Sequence, residues 1–217
     1  MSGQSHLPVP ASATVPGSSG AVALLILAAG ASTRMGQPKQ LLPYRGRTLL
    51  RHAAETAVAT GCGPVVLVTG ALHEALAAEV AGLPVRAVHN SEWETGMASS
   101  IRAGLAAVQD AQPSAVLIML SDQPLVTPEL LRQLVAQQQQ THAPVVAAAY
   151  GDTLGVPAIF DHTQFSALSQ LQGAQGANRL IAGLDAAVGR VAFPAGLLDV
   201  DTPEQYAALL ARPQSNA

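Results

Sequence analysis

Residues 22–28 read VALLILA. Seven consecutive apolar residues leave no polar face for water, so a strand built from them must be covered on both sides. The same texture returns at 65–69 (VVLVT), 85–88 (VRAV), 116–120 (VLIML) and 145–149 (VVAAA). Between these runs lie longer stretches with helical length and composition, at 48–59, 73–80, 97–109 and 128–140. Thr127-Pro128-Glu129 is a helix start, with Thr as N-cap and Pro at the first helical position. Helices alternating with strands that are apolar on both faces predict an α/β fold: a single doubly wound, mostly parallel sheet with helices on both faces.

The chain has 217 residues, enough for one such domain. We expect the folded unit at 21–212, after a flexible leader at 1–20 rich in Ser, Pro, Gly and Ala, and before a flexible tail at 213–217. Hydrophobic residues make up 49% against 12% charged, which favours a buried core over disorder. The net charge is −3 with no basic run, so a nucleic acid is not the expected partner. Three Phe, three Tyr and one Trp also leave little for base stacking. A small molecule is the expected ligand. Cys62 stands alone, which excludes an internal disulfide and a Cys-based zinc site and fits a reducing, cytoplasmic setting. The longest apolar stretch, 21–29, is under half of the ~20 residues a spanning helix needs, and no basic segment precedes it as in a signal peptide. No membrane segment is expected.

In a sheet of this kind ligands lie beyond the carboxyl ends of the strands. The first such loop is AAGASTRMGQPK at 28–39. Ala28, Ala29, Gly30, Ala31 and Ser32 are small enough for backbone N–H groups to approach an anion, and Arg34 and Lys39 add positive charge where a triphosphate would lie. Neither GxxxxGK[ST] nor GxGxxG is present, and a small-residue connector with two solvated cations remains the alternative. Further segments are Thr69-Gly70, HNSEWETGM at 89–97 and SDQP at 121–124. Asp122 directly follows an apolar strand, where an acidic side chain has little structural purpose, so it is a candidate Mg²⁺ ligand. His52, His73, His142 and His162 show no metal-ligand spacing, and His89 reads as structural.

LAAGASTRMGQPKQLLPYRGRTLL at 27–50, HNSEWETGMASSIRAGL at 89–105, SDQP at 121–124, GVPAIF at 155–160, LQGAQGANRLI at 171–181 and DVDTPEQY at 199–206 carry a resemblance spanning 22–210. These segments resemble the small nucleotidyltransferases related to molybdenum cofactor cytidylyltransferase, a glycosyltransferase-A-like group that includes the molybdenum cofactor guanylyltransferases. The resemblance implies a nucleotide-diphospho-sugar transferase (Rossmann-like) sheet and Mg²⁺-dependent transfer of CMP from CTP to the phosphate of a molybdopterin-type cofactor, with release of pyrophosphate. Carried residue by residue, it implies that Ala28, Ala29, Gly30, Ala31 and Ser32 border the nucleotide together with Thr69, and that Ser100 reads the base. Arg34, Lys39 and Asp122 would be catalytic. Asp201 would join Asp122 on the metal, unless it merely caps the helix beginning at Pro203, with Asp199 as the fallback ligand. Asn90, Trp93, Gly96, Met97, Gly155 and Pro157 would lie on the acceptor side.

The Ala28-Ala29-Gly30 form of the loop resembles the CTP users rather than the GTP users. Two departures touch the acceptor: Ala174 stands where the family commonly has an acidic residue, and Leu154-Gly155-Val156 replaces a basic or Gly-His element before Pro157. The finished cofactor would pass to a molybdenum-containing apo-oxidoreductase. Alternatives are a cofactor-carrying chaperone for such an enzyme, a nucleotidyltransferase using another phosphorylated acceptor or GTP, and a redox protein on the same scaffold. The last lacks a dinucleotide fingerprint. If Lys39 serves only the triphosphate, replacing it should cost activity and hardly change stability.

Overall fold

The structure is a computed structural model, and it describes residues 20–30, 35–198 and 200–212. The tail, all of the leader but Gly20, and Ala31, Ser32, Arg34 and Asp199 lie outside the described residues. The strands in chain order are β1 (Val22–Ala28), β2 (Pro43–Tyr44), β3 (Arg47–Thr48), β4 (Val65–Thr69), β5 (Val85–His89), β6 (Ala115–Leu120), β7 (Val145–Tyr150), β8 (Thr153–Asp161) and β9 (Val188–Ala192). The helices are α1 (Leu49–Val58), α2 (His73–Glu79), α3 (Met97–Val108), α4 (Pro128–Thr141), α5 (Phe165–Ser169), α6 (Asn178–Leu184) and α7 (Pro203–Leu210).

Seven strands form one sheet in the order β5-β4-β1-β6-β8-β7-β9, and β2 and β3 make a separate hairpin. β1 pairs in parallel with β4 on one side and β6 on the other. β8 runs antiparallel to both its neighbours, and β7 and β9 are parallel. The expected mostly parallel, doubly wound sheet is therefore present. All seven residues of β1 are buried, and alternate ones pack in opposite directions, as a period of two requires. Val22, Leu24, Ile26 and Ala28 meet α1, α2 and α4. Ala23, Leu25 and Leu27 meet α3, α5 and α6.

Thr127 caps α4 by accepting from Leu130 N, with Pro128 in the first turn, as the sequence predicts. β8 and β9 were not expected. The reason for missing β8 is visible at Pro157, which lacks the N–H a ladder needs. Pairing of β8 with β6 ends at Ala158 opposite Ile118, and the register with β7 jumps between Ala147 and Ala148, passing over Val156 and Pro157. The proline thus sits at a bulge where no ladder bond is asked of it. β9 is a short edge strand, VGRVA, whose polar interruption hides it. Among the described residues, no helix is long and apolar enough to cross a membrane.

From β1 the chain builds outward through β4 to β5, then crosses back to place β6 on β1's other flank. The crevice between the carboxyl ends of β1 and β6 is the switch point where such sheets hold ligands. α3 closes one side of it by lying tight on the sheet at Gly104, where a Cβ would stand 2.9 Å from Leu25 Cδ1 and 3.2 Å from Val68 Cγ2. Gly104→Val should therefore cost about 1–3 kcal/mol of stability through overpacking. Urea unfolding of the variant checks this, and a loss below about 0.5 kcal/mol would contradict so close an approach.

Candidate active site

Three segments far apart in the chain meet at the crevice. The chain leaves β1 through Ala29 and Gly30 and returns at a 3-10 turn, Lys39–Leu41, headed by Lys39. Asp122 follows β6, and Asp201 precedes α7. Lys39 Nζ donates to Asp122 Oδ2 and, at 2.7 Å, to Asp201 Oδ1. The side chains are only 18%, 12% and 32% exposed for Lys39, Asp122 and Asp201. Burial acts to lower the lysine pKa, but the two carboxylates outweigh it and hold the ammonium above its ordinary value. Lys39 is therefore charged throughout the neutral range. It is not a solvated cation, and its loss would leave two carboxylates facing one another.

The helix cap of α7 is not Asp201 but its neighbour. Thr202 caps α7, accepting from Gln205 N, while Gln205 Oε1 accepts from the N–H groups of Asp201 and Thr202. The Asp201 carboxylate is turned to Lys39 instead. Asp122 Oδ1 is buried and has no hydrogen-bond partner among the described residues. A buried, unpartnered carboxylate oxygen calls for a donor or a cation from outside. Two convergent carboxylates are a hard oxygen donor set that suits a Mg²⁺-type ion, which completes its shell with phosphate oxygens and water. Among the described residues no three His, Cys, Asp or Glu side chains gather to offer an all-protein cage.

Beside this cluster is a cavity of about 310 Å³ that brings together Ala28, Ala29, Gly30, Lys39, Trp93, Gly96, Met97, Ser100 and Asp122. Gln40, which the sequence reading did not single out, shapes its floor. It is 2% exposed, and its Nε2 donates to Gly30 O at 2.8 Å and Ala28 O at 3.3 Å. Across a planar trans peptide the N–H opposes the C=O, so holding Ala28 O turns the Ala29 N–H away from Gln40. Nothing but an amide between Lys39 and two leucines could have flagged this residue.

The indole of Trp93 packs across Gly70, where a Cβ would lie 2.7 Å from Trp93 Cγ. Gly96, at φ 112, allows the segment at 173–174 to sit directly on the start of α3, since a Cβ would come 2.3 Å from Gly173 O. An adjoining cavity of about 240 Å³ shares Leu27, Met97 and Leu120 and extends toward Val156, Ala174 and Asn178. Met97, 42% exposed, stands between the two.

Several expected site residues serve the fold instead of lining these cavities. Thr69 is fully buried, donates to Val88 O at 3.1 Å and shares a hydrogen bond of 2.7 Å with His73 Nδ1. Asn90 is buried, and its Nδ2 donates to Ser99 Oγ at 2.8 Å and Ser100 Oγ at 3.0 Å, bracing the serine that does face the cavity. Gly155 and Pro157 are buried in the β8 bulge, and only Val156 between them reaches the second cavity.

Residues 24–188 match the family described as the MobA-like NTP transferase domain. Nicotine blue oxidoreductase of Paenarthrobacter nicotinovorans is 43% identical over 129 residues, covering 58% of this chain and 60% of that protein. The match thus spans less than two thirds of that relative's length. Purine catabolism protein PucB of Bacillus subtilis is 30% identical over 194 residues, 84% of this chain and 92% of that one. The crystal structure of Rv0371c from Mycobacterium tuberculosis superposes with a TM-score of 0.77 at 32% identity, covering 90% of this chain and all (100%) of that one. A second structure of Rv0371c, in complex with manganese, gives 0.73 at 31% identity, with 89% and 100% covered. Through the family match over most of its length, and through PucB along nearly all of that relative, this chain belongs to the MobA-like NTP transferase domain family.

Proposed function

We propose that this nucleotidyltransferase is a cytoplasmic, Mg²⁺-dependent cytidylyltransferase that transfers CMP from CTP to the phosphate of a molybdopterin-type cofactor, for delivery to a molybdenum-containing apo-oxidoreductase. The observation that carries the reading is the convergence of Asp122 and Asp201 on one ammonium, beside a small-residue loop at the sheet's switch point. In the reaction, an oxygen of the acceptor phosphate bonds to the α-phosphorus as the bond to the β-phosphate bridge breaks and pyrophosphate leaves. Such chemistry needs positioning and charge neutralisation, not a protein nucleophile.

Asp122 and Asp201 would hold the Mg²⁺ ion, which neutralises phosphate charge and aligns the reacting oxygens when bound. With the carboxylates so engaged, Lys39 has its charge available for the triphosphate, as does Arg34 by the resemblance. The backbone at Ala28, Ala29 and Gly30, held in shape by Gln40, borders the nucleotide, and Ser100, braced by Asn90, faces the base. Met97 and the walls at Val156 and Ala174 receive the acceptor. The name of the relative at 43% identity favours a second reading, an oxidoreductase on this scaffold.

The direct test incubates the chain with each of the four NTPs, Mg²⁺ and molybdopterin, and follows pyrophosphate. CTP should exceed GTP in kcat/KM at least about tenfold, roughly 1.4 kcal/mol of transition-state binding. Asp122→Asn should fall at least about a hundredfold with its circular dichroism unchanged. In a parallel incubation, oxidation of NADH or NADPH by a supplied quinonoid dye as electron acceptor, without pyrophosphate release from any nucleotide, would favour the second reading instead.

Lys39→Met should lose turnover and also destabilise the metal-free chain by about 1–2 kcal/mol, a value discounted for the partial exposure of the cluster. Mg²⁺ should then raise the melting temperature of the variant more than that of the parent, because the ion takes over the neutralising role of the lysine. Equal melts and equal Mg²⁺ increments would remove the ammonium from the site. Gln40→Leu, which keeps the bulk and deletes the donor, should raise the KM for CTP about tenfold while the sheet's far-ultraviolet signal persists. An unchanged KM would mean that the loop holds its shape without the amide.

A further inference from the structure

Another cavity measures about 590 Å³, within the roughly 300–1,000 Å³ common for small-molecule sites. One wall, from Pro124 to Val126, continues the loop that carries Asp122. The facing wall, at Leu209 and Arg212, ends α7, which begins just after Asp201. The β2–β3 turn supplies Arg45, and α1 supplies His52.

The cavity's charge is one-sided. Arg45 and Arg212 are exposed and make no ion pair with any described residue. The one carboxylate on the lining, Glu129, is paired with Arg132 at 3.2 Å. His52 adds no compensating negative charge. Burial chiefly, with Arg45 and Arg47 assisting, pushes its pKa down, and its neutral ring donates from Nε2 to Pro124 O at 3.0 Å.

Arg45 is also in the wrong place for a mere surface arginine. It stands at φ 51 and is followed by Gly46 at φ 77 in a two-residue hairpin turn. Two left-handed residues make the turn that favours Asn-Gly, and a long side chain there costs stability. A local rule broken at a cavity rim is the pattern expected of a functional residue. The guanidinium lies 5.1 Å from the centre of the Tyr44 ring, at the same rim.

We propose that this cavity is a second binding site, for an organic phosphate monoester whose apolar body packs on Leu125 and Leu209 and whose phosphate is held by Arg45 and Arg212. Guanidinium groups suit phosphate because their planar fork matches its oxygens. Such a ligand would tie the β2–β3 turn to the segment that ends α7; β2 and α7 already meet where Tyr206 Oη donates to Pro43 O at 2.5 Å.

Titration calorimetry and thermal melts of the full chain, free of metal and nucleotide, test the proposal with phenyl phosphate as probe and inorganic phosphate and phenol as its halves. Phenyl phosphate should bind at least about tenfold more tightly than either half. Arg45→Asn combined with Arg212→Gln should weaken it at least about tenfold; Asn suits the left-handed turn, so the fold is kept. Lys39→Met should leave the affinity unchanged. Undiminished binding in the double variant, no binding in the parent, or loss of binding in Lys39→Met, which would put the probe at the carboxylate cluster, each overturns it. No outcome depends on whether the chain transfers CMP.

Discussion

Two carboxylates and one ammonium in a half-buried crevice set the terms for everything around them. Asp122, after β6, and Asp201, before α7, approach the same ammonium, and in a region of lowered dielectric they would repel strongly without a cation between them. Lys39 supplies that cation. Its position makes sense of neighbouring features: the 3-10 turn that delivers it, the capping box that relieves Asp201 of helix duty, and the cluster of Met35, Leu42, Tyr44, Leu49, Val200 and Leu209 that presses α7 against the turn. A divalent ion bound there would replace an existing positive charge instead of creating a new one. The protein can therefore hold the site assembled before metal or nucleotide arrives.

The remaining shape of the crevice comes from a few polar and glycine constraints. Gln40 fixes the exit of β1 through its carbonyls. Asn90 bridges the 90–92 turn to the first turn of α3 through Ser99 and Ser100. Gly70 and Gly96 remove the Cβ atoms that would otherwise keep Trp93 and the 173–174 segment at a distance. At the far side, the bulge at Val156 and Pro157 parts β8 from β6 and opens the second chamber. Each of these devices is local, yet each acts on a backbone segment distant in sequence.

Five strands and four helices were legible from pattern alone: in β1, β4, β6 and most of β7 continuous burial leaves a run of apolar residues, whereas β5, at the sheet edge, has no buried residue and shows itself only by its β-branched residues. Asp122 stood out for the complementary reason: an acid at the end of such a run is costly unless something cationic meets it. β8 was illegible because Gly155 and Pro157, the residues that make its bulge, are the residues that argue against a strand. Thr69 and Asn90 show the opposite case. Polar side chains at strand ends invite a reading as ligands, but here neighbouring hydroxyl, carbonyl and imidazole groups, supplied by other elements, consume their hydrogen bonds.

What the amino-acid order determined by itself was therefore the sheet, its two-sided covering and the family resemblance carried by its loops, since all of these depend on short-range periodicity and contiguous motifs. What only the tertiary structure decided was which polar groups face one another. Lys39 is separated from Asp122 by 83 positions and from Asp201 by 162. Whether a lysine is a solvated ornament or the counter-ion of two carboxylates depends on distance and burial in space, and neither is encoded in spacing along the chain.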